Sequence, residues 1–213
     1  MIIEFVGMAA VGKSTLISNI KQSIPTDNIE QNSKEPNLIS IILKLLVFLF
    51  KANLQLKTSS MKKRKIINER LFLSGLKQIK HLKTKKKVKV IDEGIIHAIL
   101  FSLDNRIINK KVDYVLLLKE AQFLFRSEET IVVFVDANVE TIMENREKRN
   151  RAHNEKTTNV SAISEERDRN AQKLAALEAI SSLRYFYVNN SNQSKAEILP
   201  LMQLINNKSE VKN

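Results

Sequence analysis

The sequence predicts an α/β chain: a three-layer sandwich built on a parallel sheet of about five strands, with a helical lid. Three observations predict it. Short, almost unbroken apolar runs (Met1–Val6, Val88–Asp92, Thr130–Asp136, Arg184–Val188) alternate with longer segments of helical spacing. A strand apolar on both sides must be covered on both sides, which is the condition of a parallel sheet between two helix layers. The first run ends at a glycine loop that leads straight into a helical segment, and ligands of such sheets bind beyond the carboxyl ends of the strands.

The elements follow in order. After the strand Met1–Val6, Ser14–Ser23 is a helix with Leu16, Ile17 and Ile20 on one side, broken at Pro25 and Asp27. A weak second strand is expected at Asn28–Gln31. Asn37–Lys57 reads as a long apolar helix and Met61–Leu82 as another, with Ile66, Leu73, Leu76 and Ile79 at helical spacing. Val88–Asp92 is the third strand. Tyr114–Phe125 is apolar without β-branched enrichment and is expected to be helical. Thr130–Asp136 (TIVVFVD) is the clearest strand, β-branched and aromatic. Val139–Arg149 is a charged helix, and Arg151–Val160 has loop composition. Ser164 is expected to cap the next helix, with Glu165 and Glu166 favouring its positive end, and that helix runs to about Ser182. Arg184–Val188 is the last strand, and Ala196–Ile205 closes the fold. With 213 residues the chain can bury one good core. A single domain over 1–207 is expected, with the lid at about 146–170 and a frayed tail at 208–213.

Composition bounds the function. There is no cysteine, which removes disulfides, thiolate metal sites and cysteine nucleophiles and fits a reducing, cytoplasmic setting. The first apolar run carries Glu4 and has no basic leader, so it does not read as a secretory signal. The net charge of +12 suits a nucleic-acid binder or an enzyme of anionic substrates. The basic runs Lys62–Lys65 and Lys83–Lys89 have no interleaved aromatic residues, so nucleic acid is the less favoured partner. Leu38–Phe50 is nearly all apolar but is interrupted by Lys44 and is shorter than the ~20 residues of a bilayer span. A buried or half-exposed helix is expected there. The alternative is a docking helix for a membrane surface or a protein partner. A homodimer is a separate expectation, tied to no segment of the sequence.

The glycine loop carries the chemistry. Gly7-Met8-Ala9-Ala10-Val11-Gly12-Lys13-Ser14-Thr15 fits G-x-x-x-x-G-K-[ST] in full, between a strand and a helix. Glycine at 7 allows a sharp turn off the strand, and glycine at 12 allows angles that aim main-chain N–H groups inward. Lys13 offers a point charge to the β- and γ-phosphates of ATP, Ser14 a hydroxyl to Mg²⁺, and the helix its positive end. The chain has only four glycines, and the motif uses two of them. A chance match in a chain of this length has odds of about one in a hundred. The third strand ends in Asp92-Glu93-Gly94. Asp92 is placed to hold Mg²⁺, directly or through water, and Glu93 to orient or activate an acceptor.

These residues, together with Lys34-Glu35-Pro36 after the second strand, an arginine-rich helix and a late Asn/Ser loop, resemble the thymidylate kinase and deoxynucleoside kinase branch of the P-loop kinases. The resemblance implies the P-loop fold, Mg-ATP, and a nucleoside or nucleoside monophosphate as acceptor. It places Glu35 in the acceptor pocket and a lid arginine near Arg146, Arg149 and Arg151. The chain departs from the pattern where the family has an acidic-Arg pair and this sequence has Asp92-Glu93. Lys34 also stands where arginine is common. Arg70 is a candidate for a relocated phosphate clamp, its alternative being a solvated helix face.

Arg146 and Arg149 share a helix face. A guanidinium arriving with a closing lid stabilises charge on a transferring phosphoryl group, and closure excludes water. Arg167 and Arg169 are weaker candidates. Asn189, in the loop after the last strand, is the candidate for an adenine contact. His81, His97 and His153 lack metal spacing, and His97 is placed to border the pocket or pack in the core. Three rivals remain. A transporter-type ATPase would share the VIDEG strand, but Leu73-Ser74-Gly75 is not followed by its signature. A GTPase would need Asn-Lys-x-Asp, which is absent. A nucleotide-binding regulator would keep the loop and do no chemistry.

Overall fold

The computed structural model describes residues 1–23, 38–55, 61–83, 88–102, 113–125, 130–153, 160–181, 183–192 and 199–210. Among them four strands form one parallel sheet: β1 (Ile2–Val6), β2 (Lys89–Asp92), β3 (Thr130–Asp136) and β4 (Arg184–Asn189), in the order β2-β1-β3-β4. The register sets Phe5 beside Asp92 and Val6 beside Phe134. The strand expected at Asn28–Gln31 lies outside the described residues.

Helices cover both faces. α1 (Lys13–Ser23), α6 (Val139–His153), α7 (Val160–Asp168) and α9 (Leu199–Glu210) pack on one side. There Leu16, Ile20, Ile142, Ile163 and Leu201 meet Ile3, Phe5, Ile131, Val133 and Val135. α2 (Leu38–Gln55), α3 (Met61–Lys83), α4 (Ile95–His97, continuing as a π turn Ala98–Ser102), α5 (Tyr114–Glu120) and α8 (Asn170–Glu178) pack on the other. There Phe48, Leu71, Ile99, Leu118 and Leu177 meet Val6, Val132 and Phe134. Alternate residues of β3 thus point into separate cores, and all seven are buried.

Local chemistry explains most boundaries. Asp113 caps α5, its side chain accepting from the Leu116 amide at 2.9 Å. Pro200 sits in the first turn of α9, where its missing N–H costs nothing. Three expectations change. Ser164 is interior to a helix rather than its cap, because buried Ile163 extends the apolar face upstream and packing overrides the capping signal. The helix expected to run on to Ser182 is divided at Arg169 and ends at Glu178. Arg151 belongs to α6 rather than to a loop, since the run up to His153 contains good helix formers and no breaker.

Aromatic rings cross one face of the sheet in a row. His97 stacks on Phe101 at 5.0 Å, Phe101 meets Phe134 at 5.8 Å, and Phe134 stacks on Tyr187 at 6.2 Å. The buried Lys173 ammonium lies 3.7 Å from the centre of the Phe101 ring. Phe134 is the member on a central strand. Replacing it by alanine should cost about 3–5 kcal/mol, read from urea unfolding, and Phe134→Leu should recover most of that loss.

Candidate active site

Residues Gly7 to Gly12 leave the end of β1 and enter α1 through positive backbone angles at Gly7 (φ 153°), Ala10 (φ 71°) and Gly12 (φ 88°). Close approach also demands the two glycines. A Cβ on Gly7 would stand 2.3 Å from the Val135 carbonyl oxygen, and one on Gly12 2.2 Å from Asn190 Nδ2. Ala10 takes its left-handed angle at a cost of about 1–2 kcal/mol, so its surroundings must hold it. Two asparagines do so. Asn145 Nδ2 donates to the Ala10 carbonyl at 2.8 Å, and buried Asn190 Nδ2 donates to the Val11 carbonyl at 2.9 Å.

Lys13 is buried. Its ammonium donates to the carbonyls of Gly7 at 2.8 Å and Met8 at 2.9 Å, so the loop closes around its own cation. Ser14 and Thr15 follow in the exposed first turn of α1, and Ala9 is exposed at the loop tip. An anion held here meets positive-φ main chain, the Lys13 charge and the positive end of α1 together.

The neighbouring strand delivers the acids. β2 ends at Asp92, whose Oδ1 is buried without a hydrogen-bond partner and whose main-chain oxygen accepts from Lys77 Nζ at 2.7 Å. Glu93 takes a left-handed angle (φ 55°), and its carboxylate stands 3.7 Å from Lys13 Nζ and 3.8 Å from His97 Nε2. Glu93 is 56 % exposed, so water weakens its attraction to Lys13.

Below this turn lies Glu4, fully buried in the middle of β1. Its carboxylate accepts from the His97 main-chain amide at 2.7 Å, at the N-terminal end of the short helix that follows Gly94. Burial pushes Glu4 up to about 7, although that hydrogen bond and Lys77 pull the other way. Burial, and then the Lys13 charge, hold His97 down at about 4. The imidazole is therefore neutral at physiological pH and donates through Nε2, 3.1 Å from the Gly7 carbonyl oxygen. Its proximity to Glu93 is accordingly not an ion pair.

A cleft of about 490 Å³ opens between these parts. Its walls are the loop at Gly7–Ala9, Glu93, His97 and Phe101, the α3 side chains Arg70, Leu73 and Ser74, and Glu166 of α7. Arg146, one residue after the loop brace Asn145, reaches Glu166 at 3.9 Å. Asp136, at the buried end of β3, binds the Ala137 amide at 2.9 Å, the Tyr187 hydroxyl at 3.2 Å and Arg167 at 3.5 Å, which anchors α7 to the sheet.

The structure thus gathers the loop, Lys13, Asp92 and Glu93 at one place and sets Arg70 in the wall of the cleft, with Arg146 beside its Glu166. Asn189 is exposed, and its Oδ1 accepts from the Ser191 amide and hydroxyl, while its neighbour Asn190 reaches the loop. Glu35 lies outside the described residues, as does the side chain of Arg149. Sequence reasoning missed Asn145, Asn190, Asp136 and the role of Glu4. Only Glu4 carried a signal, a carboxylate in an otherwise apolar strand.

Neither a protein-family model nor a curated protein matches the sequence. Solved structures do match in shape. Deoxyadenosine kinase from M. mycoides, solved with dCTP and with dATP, aligns over 97 % of this chain and 100 % of its own, with a TM-score of 0.54 and 17 % identity. The chain shares the fold of that deoxyadenosine kinase. Thymidylate kinase from Candida albicans aligns over 98 % of this chain and 92 % of its own, with a TM-score of 0.48 and 15 % identity. Within this fold the loop and Asp92-Glu93 stand at the carboxyl ends of β1 and β2, where ligands of parallel sheets bind.

Glu4 and His97 make opposite contributions to stability with pH. Glu4, raised from 4.5 to about 7, stabilises fully below 4.5 and loses that contribution as pH rises through 7. His97, lowered from 6.5 to about 4, stabilises fully above 6.5 and loses that contribution as pH falls through 4. Each is worth on the order of 3 kcal/mol, and they offset each other between pH 4.5 and 6.5. Urea titrations across that window should find Glu4→Gln gaining stability with rising pH and His97→Gln losing it, with the native chain nearly flat. Parallel slopes in the two variants would contradict this pairing.

Proposed function

We propose that the chain is a kinase that moves the terminal phosphoryl group of ATP to a small acceptor, a nucleoside or a nucleoside monophosphate. The observation that carries this reading is the meeting of a phosphate loop, a buried unpaired carboxylate oxygen and an acceptor-sized cleft at one edge of the sheet.

Each residue has a physical task in this reading. The loop amides and Lys13 hold the β- and γ-phosphates, Lys13 exchanging its loop carbonyls for phosphate oxygens. Asp92 and Ser14 would hold Mg²⁺, which neutralises charge on the phosphates when bound. Asp92 suits that task because its Oδ1 lacks any other partner. Among the described residues no cluster of three His, Asp or Glu side chains forms an all-protein metal cage, and Mg²⁺ needs none, being shared with phosphate oxygens. Glu93 or Glu35 positions the acceptor group or takes its proton. Arg146, and Arg149 on the same helix, belong to the lid that covers the transferring group. Asn189 is the candidate beside the adenine.

The cleft lining favours an uncharged acceptor hydroxyl over an acceptor phosphate. Glu93 and Glu166 face it, each already beside a cation, Lys13 and Arg146, which leaves Arg70 as the cation of the lining itself, and His97 is neutral. A monophosphate would compete with these carboxylates for the same cations.

A ³¹P-monitored screen of nucleosides, nucleotides and sugars with Mg-ATP tests the proposal. Transfer to a nucleoside is the expected result. Lys13→Ala should lower kcat/KM by roughly 10³-fold or more with unchanged circular dichroism. Full transfer by Lys13→Ala would rule out this mechanism, and steady ATP hydrolysis without any acceptor would favour the ATPase reading.

A further inference from the structure

Lys13 and His97 meet at one oxygen. The buried Gly7 carbonyl accepts from Lys13 Nζ at 2.8 Å and from His97 Nε2 at 3.1 Å. Glu93 Oε1 is 3.8 Å from the same Nε2, beyond hydrogen-bond distance, so the ring proton belongs to Gly7. A carbonyl oxygen has two lone pairs, and here two donors from distant elements use them. Lys13 comes from the start of α1 and His97 from α4.

The two donors differ in their freedom. The His97 ring is held in place: it stacks on Phe101 at 5.0 Å with 17° between the planes. Its main-chain amide is fixed by the buried Glu4 carboxylate at 2.7 Å. Lys13 is a point charge on a flexible stem, and a bound phosphate would draw it away from Gly7. An ammonium has three protons, so it can reach a phosphate oxygen while still touching the Met8 carbonyl, now at 2.9 Å. The Gly7 carbonyl would then lose a partner in the interior. A buried acceptor left bare shifts the equilibrium that bares it by roughly tenfold. At Gly7 a second donor already stands in place.

On the nucleotide reading of the loop, on which this inference rests, we propose that His97 is a positioning residue for ATP binding. It keeps the Gly7 carbonyl satisfied when Lys13 turns from that oxygen to a phosphate, so the loop keeps its shape as its cation moves. An asymmetry follows. Without nucleotide either donor alone serves Gly7, and losing His97 costs the fold little at this oxygen. With nucleotide bound His97 is the donor that remains, and its loss falls on nucleotide affinity. A role in packing alone would follow the ring rather than its proton.

Two variants separate ring from proton. His97→Phe keeps an aromatic ring and loses the donor, whereas His97→Gln loses the ring and keeps a donor of similar reach. Isothermal titration calorimetry with Mg-ATP at pH 8 should find His97→Phe about tenfold weaker than the native chain and His97→Gln within about threefold of it. If His97→Phe does not fold, His97→Leu takes its place, differing from His97→Gln in the donor. The opposite order overturns the proposal. Urea unfolding without nucleotide gives a second readout. Lys13→Met and His97→Phe each remove one of the two donors to Gly7, and together both. The folding equilibrium of the double variant should fall about tenfold below the product of the two single effects. Independent effects overturn the shared role of that oxygen. A native chain that binds no Mg-ATP overturns the kinase reading and this one with it. A native chain that binds Mg-ATP no more tightly than His97→Phe overturns the role of His97 alone.

Discussion

The Lys13 ammonium organises the carboxyl edge of the sheet. It is buried at the end of β1, and the Gly7 and Met8 carbonyls satisfy it in place of water. A buried cation of this kind is tolerable only with such partners, so the loop must curl back over it. That curl needs positive angles at Gly7, Ala10 and Gly12, and the strain at Ala10 needs the bracing of Asn145 and Asn190. Three elements distant in sequence, α1, α6 and the turn after β4, are thereby tied to one six-residue stretch.

The acids form a second tier on the same edge. Glu93 faces the lysine from the adjacent strand end, and Glu4 works from beneath. Glu4 holds the amide of His97, and the His97 ring in turn reaches the carbonyl of Gly7. The loop and the Asp92-Glu93 turn are thus linked through the interior as well as across the cleft. This linkage fixes the spacing of the loop and the acidic turn within the chain itself.

Much of this was legible in the sequence where local chemistry decides the outcome. TIVVFVD could only be a strand buried on both faces, and the bounds observed for β3 are the expected ones. The turn at Gly7–Gly12 was legible because its glycines are required by angle and clearance. What the sequence withheld depends on long-range packing. Asn145 and Asn190 look like ordinary polar residues of a helix and a loop, and nothing local says that both reach the same few peptide units. The division of the helix at Arg169 and the interior position of Ser164 were likewise settled by tertiary contacts that outweigh weak capping preferences. The apolar character of α2 was plain, but its two grooves arise only when α3 and α5 pack beside it.

The glycine at position 94 carries a further consequence. A methyl group there would fall 2.6 Å from the Glu4 carboxyl carbon, so the two residues share one small space between the central strand and the turn. Neither can drift alone over evolutionary time. A larger residue at 94 would be admissible only alongside a shorter one at 4, and the main-chain amide of His97 would then lose its acceptor. Divergent descendants of this chain should therefore keep Glu4 and Gly94 together or exchange both at once.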